Sequence, residues 1–102
     1  MIPDVSERTT DMARLCQLYG VSRLDLFGDA ATTDFPLEND TLRFLVEFDP
    51  AARRTYFDMY FGLMESLEQL FEKPVELTID SAIRNPYLRQ LVEDTKANIY
   101  VA

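Results

Sequence analysis

The stretch from Thr41 to Phe48 constrains the fold more than any other part of the chain. Leu42, Phe44, Val46 and Phe48 are apolar, and Thr41, Arg43, Leu45 and Glu47 alternate with them. Side chains of a strand point to opposite faces in turn, so the even positions need a hydrophobic layer while the odd ones meet a largely polar side. Asp49 and Pro50 end the strand. Slipping the register by one residue would turn Phe44, Val46 and Phe48 outward, at roughly 1.5–3 kcal/mol for each side chain exposed. The pattern therefore sets its own register.

Such a strand needs neighbours, and the chain supplies them. Ser22–Gly28 places Leu24, Leu26 and Gly28 on one side and Arg23, Asp25 and Phe27 on the other, a strand ending at a glycine. Pro74–Ile79 reads as a short strand with proline at its first residue, and Ala97–Ala102 as a last one. A helix is expected from Asp4 or Ser6 to Tyr19, with Gly20 as its stop and Met12, Leu15, Cys16 and Tyr19 on one apolar face. Asn85 caps another, with Pro86 at its first position, running to about residue 94 with Leu88, Leu91 and Val92 inward. Residues 29–40 read as a loop with one helical turn. The 102 residues suit a single domain, residues 1–102. The predicted class is α+β in two layers, a small mixed sheet of about four strands with helices packed on one face.

The longest predicted helix, Arg54 to Glu72, carries more apolar surface than one sheet face can take. Phe57, Tyr60, Phe61, Met64, Leu67 and Phe71 form the expected inward stripe. Tyr56, Met59, Leu63 and Leu70 widen it and suggest a homo- or hetero-oligomer interface through helix 54–72.

Charge and composition narrow the chemistry. Eighteen Asp and Glu against ten Lys and Arg give −8 at neutral pH, which disfavours nucleic acid and anionic membranes as partners. The chain has no long apolar run, and Met1–Val5 is unlike a signal peptide, so a cytoplasmic location is expected. A lone cysteine, Cys16, fits a reducing compartment and a core position. Without histidine the chain cannot form a Ser–His or Cys–His nucleophile, and chemistry is left to carboxylates, hydroxyls and backbone amides.

Leu26–Gly28, Leu42–Pro50 and Val75–Leu77, with Ile83–Leu88 and Tyr100 in the tail, resemble the minimal nucleotidyltransferases of the DNA-polymerase-β-like superfamily across nearly the whole chain. The resemblance implies that fold, and a site made of a Gly-Ser turn, two aspartates spaced by two on a strand, and a third carboxylate on the next. Aspartates two apart share a face, so both can hold Mg²⁺ ions that bridge a triphosphate. On this chain the Gly-Ser pair falls on Gly28 and Asp29, the paired aspartates on Thr41 and Arg43, and the third carboxylate on Glu76; the loop's later glycine falls on Thr33. Arg43 puts a cation where a metal would sit, Asp29 a negative charge against phosphates, and Glu76 alone is a poor magnesium site. An ion pair between Arg43 and Glu76 is expected, and Thr32 and Thr33 are read as making loop or cap hydrogen bonds.

The family therefore suggests a catalytically degenerate domain with no metal or cofactor, acting through protein–protein binding as the antitoxin-type partner of a HEPN-domain protein. Two alternatives stay open. One is an active enzyme transferring AMP from ATP with Mg²⁺ to a protein or small-molecule hydroxyl, with a site rebuilt from Asp29, Asp40 and Glu76. The other is a homodimeric scaffold or nucleotide-sensing domain.

Overall fold

The computed structural model describes residues 1–34 and 41–102. Its elements are α1 (Pro3–Ser6), α2 (Thr9–Leu18), β1 (Val21–Phe27), α3 (Asp29–Thr32), β2 (Leu42–Phe48), α4 (Tyr56–Phe71), β3 (Val75–Ile79), a 3₁₀ turn (Asp80–Ala82), α5 (Pro86–Thr95) and β4 (Ala97–Val101). The four strands form one mixed sheet in the order β3-β2-β1-β4. β1 runs antiparallel to both β2 and β4, and β2 runs parallel to β3 through the α4 crossover. Among the described residues no helix is long and apolar enough to cross a membrane.

The strand pattern decides the first face. Leu24, Leu26, Leu42, Phe44 and Val46 are fully buried there, against Met12 and Cys16 of α2 and Leu63 and Leu67 of α4. Leu26 pairs with Phe44 and Phe27 with Arg43, so β2 lies in the unslipped register that its alternation requires. Phe48, at the open end, is half-buried with its ring edge-on to Tyr56.

Three expectations need correction. The first helix is broken: Ser6 donates its hydroxyl back to the Pro3 carbonyl, and Arg8 leaves helical geometry at φ −121°, so a new helix starts at Thr9. Helices also do not keep to one face. α5 crosses to the second face, where Val92 buries Phe27 and Leu45 with help from Ile83, Leu88 and Leu91. Those two side chains on the supposedly polar side are too apolar to leave to water.

The third correction concerns α4, whose inward row is Met59, Leu63, Leu67 and Phe71. Two contacts fix this rotation. Gly62 lies against the Tyr19 ring, and the Tyr60 hydroxyl donates to the Leu77 carbonyl at 2.8 Å. Phe57 and Phe61 are thereby turned outward, while Met59 and Leu63, expected as surplus, are core. Thr55 caps the helix by accepting from the Asp58 amide, and Glu72 in the left-handed region (φ 54°) ends it. Asn85 caps α5 as expected, accepting from the Tyr87 and Leu88 amides.

Candidate functional site

The register of three strands brings one row of side chains together on the second face. Phe27 of β1 is opposite Arg43 of β2, and Arg43 is opposite Glu76 of β3. The Arg43 guanidinium lies 4.7 Å from the centroid of the Phe27 ring, and its Nε is 3.6 Å from Oε2 of Glu76. The expected ion pair is thus present, with Arg43 about one-third and Glu76 half exposed. The cation rests on an aromatic face and leans towards a carboxylate, both favourable for guanidinium.

Beside this row β1 ends in a turn that only glycine adopts easily, Gly28 at φ 81°. Asp29 follows as the exposed first residue of α3. Thr41, the exposed residue before β2, lines a cavity of about 250 Å³ together with Phe27, Gly28, Asp29, Arg43 and Leu91. Four of the five positions singled out by sequence, Gly28, Asp29, Thr41 and Arg43, therefore meet at one ledge. The fifth, Glu76, reaches it through Arg43.

Sequence reasoning missed a further residue of the ledge. Thr95, at the end of α5, accepts a hydrogen bond from the Gly28 amide at 2.9 Å and donates its hydroxyl to the Leu91 carbonyl at 2.6 Å. The amide of the turn is therefore already bonded. No local signal in the sequence marks this, because Thr95 and Gly28 are 67 residues apart. Thr32 donates its hydroxyl to the carbonyls of Gly28 and Asp29, as a turn threonine is expected to.

These side chains do not fit a magnesium–nucleotide site. Magnesium takes near-octahedral oxygen ligands, and the ledge offers the ion-paired Glu76 carboxylate, the Asp29 carboxylate on the far side of the turn and the Thr41 hydroxyl, with a guanidinium in their midst. A phosphate would meet the Asp29 carboxylate and an amide that Thr95 has taken. Among the described residues, no three acids or cysteines are grouped so as to hold a metal ion. Asp40, part of the rebuilt metal site considered above, lies outside the described residues.

A second polar group occupies the other end of the same face. Asp25 is buried, at 1% exposure, and accepts from Arg23 Nε at 3.0 Å and Asn98 Nδ2 at 2.9 Å, tying β1 to β4. Farther along, Arg89 of α5 binds Asp80 at 2.6 Å. Glu47 shares a hydrogen bond with Asp80, which, with burial, holds the Glu47 carboxyl above its ordinary range. The same hydrogen bond, followed by that from Arg89, holds Asp80 below its own. This group braces the end of the sheet and α5, and its polar groups are satisfied by one another.

No protein-family profile matches the chain. A Methanocaldococcus jannaschii protein described as a "putative protein adenylyltransferase" is 33% identical over 76 residues, covering 74% of each chain. The solved structure of a "putative minimal nucleotidyltransferase" superposes with a TM-score of 0.71 at 26% identity, covering 90% of this chain and 89% of that one. The chain belongs to the minimal nucleotidyltransferase family. The fold recurs at 13% identity and a TM-score of 0.64 in the complex of a tri-AMPylated Shewanella oneidensis HEPN toxin with its MNT antitoxin, covering 95% of this chain and 72% of that one.

Proposed function

We propose that this minimal nucleotidyltransferase is catalytically degenerate and acts in the cytoplasm by binding a protein, as the antitoxin-type partner of a HEPN-domain protein. The observation that carries the proposal is Arg43, set between the Phe27 ring and Glu76 at the edge of the Gly28 turn. A fixed cation there does electrostatically part of what a divalent ion would do, since it offsets Glu76, but it cannot bridge a triphosphate. Binding fits the rest of the molecule: an acidic chain of net charge −8 is suited to a cationic protein surface. The relatives support the partner class, because one of them is an MNT antitoxin solved with a HEPN toxin.

The test is to mix the chain with a candidate HEPN-domain partner, in the presence of Mg²⁺ and ATP labelled in its α-phosphate. The expected result is a complex that elutes as one species and carries no label. Label on the partner overturns the degenerate reading. A second reading, an active adenylyltransferase built around Glu76, is favoured by the 33% identity to the Methanocaldococcus jannaschii protein and gives that labelled outcome.

A further inference from the structure

We propose that the outward face of α4, centred on Phe57 and Phe61, is where the protein partner docks, the partner presenting an apolar surface rimmed by its own cations. The inference deepens the antitoxin-type reading and rests on it.

Three large rings are left to solvent on the first turns of α4: Tyr56 is 54% exposed, Phe57 68% and Phe61 40%. They are not scattered. The Phe57 and Phe61 centroids are 4.6 Å apart, Tyr60 and Phe61 5.1 Å, and Tyr56 reaches Phe48 at 5.7 Å, so the rings form one continuous strip. Phe57 and Phe61 are four residues apart and stack along one side of the helix. The α4 core row is already complete with Met59, Leu63, Leu67 and Phe71, so the outward rings of Phe57 and Phe61 are not needed to fill it. Contiguous apolar surface of this kind marks a contact site.

Charge identifies the occupant. From Tyr56 to Glu72 the charged residues are Asp58, Glu65, Glu68 and Glu72, with no lysine or arginine. Two copies of this face would set acids against acids, in molecules that each carry −8. A cationic partner gains where a second copy loses. Next to the strip a cavity of about 490 Å³ opens, with Phe48, Tyr56, Met59 and Ile79 as walls and Glu47 and Asp49 at its edge. Aromatic and acidic groups together suit the head of a lysine or arginine. Arg54 also lines the cavity, but its guanidinium is stacked on Tyr19, 5.2 Å from the ring centroid.

This face lies across the sheet from the Arg43 ledge, so docking and ledge chemistry separate. The experiment measures binding of the full chain to the HEPN-domain partner for four proteins. Phe57→Asp with Phe61→Asp is expected to weaken binding by about 100-fold or more, as for exposed aromatic anchors, with unchanged circular dichroism and melting. Glu65→Lys with Glu68→Lys is expected to weaken it by about 10-fold and to flatten its salt dependence. Tyr87→Ala, an exposed ring on α5 outside the strip, is expected to bind like wild type. Wild-type affinity in the double aspartate variant overturns the proposed surface while leaving the partner reading intact. Failure of the wild-type chain to bind the partner overturns the reading and the surface together. A wild-type homodimer that the aspartates dissociate makes a second copy the occupant, which also overturns the proposal.

Discussion

Replacing Arg43 with methionine removes the cation while keeping an unbranched stem across the Phe27 ring. Two interactions are lost. An ion pair with partners 32% and 50% exposed is worth about 0–1 kcal/mol after solvent screening, and a guanidinium over a ring at an exposed site about 0.5–1 kcal/mol. The expected cost is about 1 kcal/mol, a fall in melting temperature of roughly 4–8 °C for a domain of this size. Arg43→Asp combined with Thr41→Asp loses the same terms and places a carboxylate directly opposite Glu76, adding up to about 1 kcal/mol of like-charge cost. This double variant adds two carboxylates beside Glu76, oxygens of the kind magnesium takes. At about a hundredfold excess over the dissociation constant, bound metal contributes about 2.7 kcal/mol, enough to restore the loss. The assay is thermal melting by circular dichroism with and without MgCl₂. If Arg43→Met melts like wild type and the double variant ignores magnesium, the idea that Arg43 stands in for a metal is refuted.

Gly62→Ala should destabilise the protein even though alanine is the better helix former by about 1 kcal/mol, because the new Cβ runs into the Tyr19 ring; urea unfolding reads the sign. Asp25→Ala should cost about 1–3 kcal/mol, since it removes the buried acceptor shared by Arg23 and Asn98, measurable in the same titration. Glu47→Gln tests the carboxyl pair through pH. The raised Glu47 favours folding below its unfolded value and loses that contribution as pH rises through its folded value; the lowered Asp80 contributes above its unfolded value and loses it as pH falls. Relative to wild type, Glu47→Gln should therefore gain stability as pH rises above the ordinary glutamate range, and a constant difference across that rise would contradict the shared proton.

Alternation made β2 legible, and with it the sheet and the row on which the candidate site stands. Four residues of that strand commit to one face so strongly that Arg43 had to point to the other. What escaped the sequence were features set by tertiary contact. Which side of α4 turns inward depends on Gly62 meeting Tyr19 and on the Tyr60 hydroxyl reaching Leu77, and periodicity cannot choose among ten apolar residues on one helix. The crossing of α5 to the second face was foreshadowed only by Phe27 and Leu45, two apolar residues among polar neighbours. Thr95 was invisible because its role depends on a partner far away in the chain.

The most direct test of the central claim is a calorimetric titration of the wild-type chain with Mg²⁺–ATP. If Arg43 and Asp29 block the ledge, the expected trace is flat, with no saturable heat at any nucleotide concentration. A saturable isotherm that disappears with Glu76→Gln would contradict it, because it would place a metal–triphosphate complex where the guanidinium now lies.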